Sequence, residues 1–172
     1  MKKYSFQGDV LPLKNELFRL AFRITHDSAE AEDIVQETML RVWDRRESWE
    51  DIEDMSAYCH TVCRNMSLDR NDKADRKGKS ISEMSREPLD GSYSSDPMRQ
   101  VEVRDRIQLV KRLFDRLPEK QRSIMHLREI EGKSYREIAL IMEISEDQVK
   151  INLFRSRQIV KKQLSKTEDY GL

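Results

Sequence analysis

Glycine and proline are scarce, five and four residues in a chain of 172. Turn-rich β architectures draw on both, so such a fold is disfavoured. Cysteine is scarcer still, with only Cys59 and Cys63. The N-terminus carries no apolar secretion core, so the expected compartment is a reducing cytoplasm, where a disulfide is not expected to form. Long apolar runs are also missing. The longest, Ile138 to Met142, falls far short of the roughly 20 residues that span a bilayer, and no membrane insertion is expected. Net charge is missing too: 32 basic side chains stand against 32 acidic ones, so the whole-chain balance says nothing for a polyanionic partner. There is no Gly-rich phosphate loop, nucleophile elbow or carboxylate pair backed by a histidine, and neither βαβ alternation nor an internal repeat occurs. No enzymatic activity is expected. Cys59, His60 and Cys63 place two metal-ligand types at i and i+4 on a helix. A closed zinc site needs four ligands, however, and His26 and His126 fall on remote predicted helices. No metal and no cofactor are expected.

What the chain does have is charge and helical periodicity. Charged residues and hydrophobic residues each make up 37% of it, a balance that suits amphipathic helices and an all-α fold. The charge is unevenly spread. Residues 1–71 hold 10 basic and 14 acidic side chains, whereas residues 101–172 hold 16 basic and 12 acidic ones. At this length two small domains are plausible, each with a modest core.

Over residues 14–25, Leu17, Leu20, Ala21 and Ile24 form one stripe, which predicts a first helix. Asp27 with Glu30 three residues later reads as an N-terminal cap. Val35, Met39, Val42 and Trp43 then repeat at helical spacing to about Arg45, with Trp43 expected in the core. Five acidic residues between Glu47 and Asp54 break the pattern, which predicts a loop around Trp49. A third helix follows from about Ser56 to Arg70, with Tyr58, Val62 and Met66 on one face. From Gly78 to Pro97 the chain holds two Gly, two Pro and six Ser in twenty residues, a linker composition. Beyond it Val103, Ile107, Val110, Phe114 and Leu117 recur until Pro118 interrupts the helix. Another helix carries Ile124 and Leu127 and ends near Gly132, a residue suited to a left-handed C-cap. The expected division is a domain over 10–74, a flexible linker over 75–100 and a domain over 101–166.

The last third carries two capping boxes. Ser134 to Glu137 opens a short helix with Ile138, Ala139 and Met142 inward, and Ser145 to Gln148 opens a second with Val149, Leu153, Ser156 and Val160 on one side. Two capped helices this close predict a helix-turn-helix, although Glu143 occupies the turn position where glycine is usual. The opposite face of the second helix offers Lys150, Ile151, Phe154, Arg155 and Gln158, with Arg157, Lys161 and Lys162 nearby. Cations on such a helix can pair with guanine or with phosphates, and apolar groups can touch the thymine methyl.

The pieces Leu117-Pro118-Glu119-Lys120-Gln121-Arg122, Leu127 through Ala139, Gln148-Val149-Lys150 and Arg155-Ser156-Arg157 together resemble region 4 of the extracytoplasmic-function sigma factors of the sigma-70 family. Asp33-Ile34-Val35-Gln36-Glu37-Thr38, Arg41-Val42-Trp43, Ala57-Tyr58 and Arg64 through Arg70 resemble region 2 of the same family, in its order and spacing. The resemblance implies two small helical domains and an RNA polymerase specificity subunit that directs transcription initiation. It implies that Asp33, Gln36, Glu37 and Arg41 dock on core RNA polymerase. It implies that region 2 opens the minus-ten element, with Thr61, Arg64 and Asn65 facing promoter DNA and phosphate contacts from Arg64, Arg70 and Lys73. By the same likeness Lys150, Ile151, Phe154, Arg155, Arg157 and Lys161 contact the minus-thirty-five element, an anti-sigma factor is a further partner, and the protein is a monomer. Two other readings stay open on the residues alone. A stand-alone helix-turn-helix regulator would dimerise across a pseudopalindrome, and a helical interaction module without a DNA role would show no salt-dependent DNA affinity.

Overall fold

The computed structural model describes residues 3–77 and 97–169, and every element among them is helical. The expected linker over 75–100 lies mostly outside the described residues. The chain divides into two compact units. One holds the N-terminal part together with Arg136–Ile144, and the other holds the remaining C-terminal residues.

In the first unit a short π-type turn, Phe6–Val10, and a 3-10 turn, Leu11–Leu13, lead into α1, Lys14–Thr25. The stripe read from the sequence is the buried face of α1: Leu17, Leu20, Ala21 and Ile24. His26 closes α1 in the left-handed region at φ 54°, donating its N–H to the Phe22 carbonyl at 2.8 Å. Asp27 then caps α2, Ser28–Asp44, by accepting from the Glu30 N–H at 3.1 Å, as the cap pattern predicts. The α2 side chains buried against the rest of the unit are apolar or self-satisfied. Ala31, Ile34, Val35 and Val42 are buried, and Thr38 returns its hydroxyl to the Ile34 carbonyl at 2.7 Å. Full burial of one such aliphatic side chain stabilises by about 1.5–3 kcal/mol.

This unit departs from expectation at the acidic segment, at Trp43 and along α3. The acidic segment expected as a loop is a 3-10 helix, Arg46–Asp51. It winds back under the end of α2 and carries Trp49 into the core in place of Trp43. Trp49 is 8% exposed and its indole N–H donates to the Val42 carbonyl at 2.9 Å, whereas Trp43, expected in the core, is 43% exposed. Trp43 packs edge-on against Phe6 and Trp49, with the Arg46 guanidinium 4.6 Å from its ring centre. The third helix, α3, runs Met55–Arg76, six residues past the expected end. Asp54 caps it through the Ala57 N–H at 3.0 Å. Its inward line is Met55, Cys59, Cys63 and Met66 rather than the half-buried Tyr58 and Val62.

In the second unit α4, Pro97–Asp115, buries only its end, at Leu113 and Phe114. Val103 and Ile107, which open the apolar row read from the sequence, are exposed. Pro118 stops the chain, and α5, Glu119–Met125, restarts with Ile124 and Met125 buried. It widens into a π-type turn, His126–Ile130, that buries Leu127. Gly132 ends this run at φ 66°. A Cβ there would meet nothing within 4 Å, so the backbone angle and not crowding favours glycine.

Then come α6, Tyr135–Met142, and α7, Glu146–Asp169. Between them Glu143 sits at φ 57°, so the turn adopts the left-handed conformation without its usual glycine, which costs a side-chain-bearing residue about 1–2 kcal/mol. By its contacts α6 groups with the first unit, although its place in the chain lies inside the expected 101–166 domain. Within that unit the Ile141 carbonyl accepts from Thr61 Oγ1 and Arg136 pairs with Glu53, both at 2.9 Å.

Candidate functional site

On α2 the buried line of Ile34, Val35, Thr38 and Val42 leaves the opposite side to Asp33, Gln36 and Glu37, spaced three and four residues apart and so neighbours on the helix surface. Asp33 and Gln36 are exposed and Glu37 is half-buried. Arg41 lies one turn on and donates to Glu37 Oε1 at 3.1 Å. Leu40 belongs to the same face at 63% exposure. It was not among the expected site residues, although its offset from the buried line signals it: a leucine three residues from Glu37 and four from Gln36 continues their row.

Arg70 lies against this face, and only 24% of its side chain is exposed. Nη1 donates to Glu30 Oε2 at 2.9 Å and to Asp33 Oδ2 at 2.5 Å, and Nη2 pairs with Glu37 Oε2. Burial pulls the guanidinium pKa down, but its hydrogen bonds to Glu30, Asp33 and Glu37 more than offset this, so it lies above its ordinary value. The donors of Arg70, for which a phosphate contact was expected, are engaged here by carboxylates of α2.

On α3 the three expected DNA-facing residues differ in exposure. Asn65 is exposed, Arg64 is half-buried, and Thr61 is half-buried with its hydroxyl shared between the Ala57 and Ile141 carbonyls, both at 2.9 Å. The acids before α3 have local tasks. Asp54 caps the helix, and the Glu53 carboxylate holds Arg136 while its backbone carbonyl accepts from the Tyr4 hydroxyl at 2.9 Å.

Also on α3, Cys59 and Cys63 are buried thiols, and burial pushes both pKa values up to about 12. Cys63 Sγ lies 3.4 Å from the Leu17 carbonyl. Such thiols carry almost no thiolate at neutral pH, which makes them packing groups and poor nucleophiles.

The first turn of α7 is closed as the sequence predicts. The Gln148 N–H donates to Ser145 Oγ and the Ser145 N–H donates to Gln148 Oε1, both at 3.2 Å. Val149, Leu153, Ser156 and Val160 are buried along one side, and Ser156 is satisfied internally by the Asn152 carbonyl at 2.6 Å. This line rotates Lys150, Ile151, Phe154, Arg155, Arg157 and Lys161 outward, and all six are exposed. Phe154 is 65% exposed and Ile151, one turn before it, is exposed as well. Arg157 differs from its neighbours, because its guanidinium bonds Glu129, and that hydrogen bond raises its pKa. Among the described residues no helix is long and apolar enough to cross a membrane.

Known proteins resemble both halves of the chain. The sigma-70 region 2 family matches residues 10–77 and the sigma-70 region 4 family matches residues 107–160. The chain is 30% identical over 147 residues to the ECF RNA polymerase sigma factor SigM of Bacillus subtilis, covering 86% of this chain and 87% of that protein. It is 28% identical over 160 residues to SigW of the same organism, covering 88% and 84%. Its fold resembles that of the sigma factor RpoE from Bartonella quintana, solved in complex with the anti-sigma factor NepR, with a TM-score of 0.72 at 24% identity over 93% of this chain and 96% of that one. The chain thus belongs to the extracytoplasmic-function sigma factors of the sigma-70 family, proteins that are not enzymes themselves but direct RNA polymerase to promoters and start transcription.

Proposed function

We propose that the two halves of the chain divide the sigma-factor task between them. A domain over 10–74 binds core RNA polymerase through Asp33, Gln36, Glu37 and Arg41 and engages the minus-ten element through Thr61, Arg64 and Asn65. A domain over 101–166 reads the minus-thirty-five element with Lys150, Ile151, Phe154, Arg155 and Lys161, and residues 75–100 tether the two. The observation that carries this reading is the rotation of α7, which buries Val149, Leu153, Ser156 and Val160 and turns a basic face with an uncovered phenyl ring toward solvent. That face has the size and chemistry of a major-groove reader. The acidic excess of the first 71 residues suits a basic partner surface. The protein acts as a monomer in the cytoplasm. An anti-sigma factor is its third partner, by likeness to the sigma factors solved with NepR and with the cytosolic domain of CnrY.

Transcription in vitro by purified core polymerase, with and without the full chain, tests the reading once start sites are mapped. Initiation at a discrete promoter set only when the chain is present is the expected result. Binding to the same DNA as a dimer without polymerase would favour the stand-alone regulator.

A further inference from the structure

Glu30, Asp33 and Glu37 lie along one side of α2, and three carboxylates at these spacings repel one another on an isolated helix. The chain brings a single cation to all three from 33 to 40 residues away. Arg70, on α3, reaches back so that one guanidinium nitrogen serves Glu30 and Asp33 and the other serves Glu37. A guanidinium suits this task because it presents five N–H donors in a rigid fork, which an ammonium cannot imitate. The carboxylates are not sealed by it. Asp33 keeps 64% of its side-chain surface, and an ionised carboxylate has about four acceptor sites, most of which stay open after one bond.

We propose that Arg70 is a positioning residue for polymerase binding: it holds Asp33 and Glu37 in the fixed array that the partner's cations meet, so the docking face of α2 is complete only when α3 is packed beside it. This rests on the reading of α2 as the polymerase-docking face. It makes a prediction opposite in sign to simple charge attraction. Removing Arg70 leaves the face one charge more negative, which by long-range attraction alone would strengthen binding to a basic surface. Positioning requires that it weaken.

The test is the affinity of the full chain, fluorescently labelled, for purified core polymerase at low and moderate salt, with helical content and melting measured alongside. Arg70→Gln should bind roughly tenfold more weakly at both salt concentrations while remaining folded, and Arg70→Lys should fall between it and the natural chain. Gln36→Ala and Leu40→Ala, at residues Arg70 does not bond, report on the docking face itself and should also weaken binding. Natural or tighter binding by Arg70→Gln, with Gln36→Ala and Leu40→Ala impaired, overturns the positioning role and leaves the docking face standing. If Gln36→Ala and Leu40→Ala bind normally, the docking face falls, and the Arg70 proposal with it. Should Arg70→Gln prove unfolded at the assay temperature, Arg70→Lys decides, because it keeps the charge and loses the fork; natural affinity in that variant overturns the proposal.

Discussion

Arg157 turns its guanidinium back onto its own unit, where Nε and Nη2 both donate to Oε1 of Glu129, at 3.1 and 2.7 Å. Arg155, two residues earlier on the exposed face of α7, is not drawn into this pair. The two arginines, equivalent by composition, therefore predict different phenotypes. Arg157→Ala should cost no more than about 1 kcal/mol of stability, since the pair is half exposed and screened by solvent, and it should leave promoter preference unchanged. Competition among promoter fragments substituted one base at a time measures this. Relaxed preference at a single position in Arg157→Ala would show that the Glu129 pair opens on DNA and that Arg157 reads a base.

Trp49 closes the bottom of the first unit by donating to the Val42 carbonyl, one of the four at the end of α2 that have no partner within the helix. Trp49→Phe keeps a ring but orphans that buried carbonyl, and it should destabilise the unit by about 1–3 kcal/mol. Trp49→Ala adds a cavity and should cost about 3–5 kcal/mol. Trp43→Ala, at the exposed ring, should cost less than either. Urea unfolding of the three variants gives the order, and a larger loss at Trp43 than at Trp49 would contradict the burial of Trp49 in place of Trp43.

Burial raises the folded-state thiols of Cys59 and Cys63 from 9.0 to about 12, so linkage fixes the direction of an alkaline effect. An unfolded thiol gives up its proton near pH 9 while the folded one keeps it. The stability is fully present below about pH 9 and is lost as pH rises toward about 12. The double variant Cys59→Ala, Cys63→Ala should flatten that alkaline decline. In the natural chain at neutral pH, iodoacetamide should label the thiols only as fast as the first unit opens. Fast labelling under native conditions would mean that the thiols are exposed.

Much of this architecture is legible in the sequence where the information is local. The α1 stripe, the Asp27 cap and the Ser145 to Gln148 box each involve residues within one or two turns of each other, and all are found in the structure. The position of Glu143 in the turn between the last two helices is legible for the same reason.

What spacing does not reveal is non-local. Helical periodicity places Trp43 on the inward stripe. It takes the return of the chain through residues 46–51 to bring Trp49 under α2 and leave Trp43 outside. Periodicity likewise marks Val103 and Ile107 as an apolar row, but a row is buried only where a neighbour covers it, and along α4 only Leu113 and Phe114 are buried. Arg70 looks like any surface cation at the end of a helix. Its partners, Glu30, Asp33 and Glu37, lie on another helix, and no pattern within α3 points to them.

Whether the outward face of α7 selects the promoter, as proposed, is decided by transcription in vitro with core polymerase and the Arg155→Ala chain on promoters varied one base at a time through the upstream element. Val149 and Leu153 anchor the helix from its buried side, so Arg155→Ala should fold normally. The expected result is preference relaxed at one upstream position by roughly 1–3 kcal/mol, as for a lost guanine pair. Lys161→Ala, a phosphate contact on this account, should instead weaken every promoter alike and flatten the salt dependence. Natural promoter preference in Arg155→Ala, together with altered preference in Glu146→Ala or Gln148→Ala, would contradict the account by showing that a different face of α7 meets the DNA.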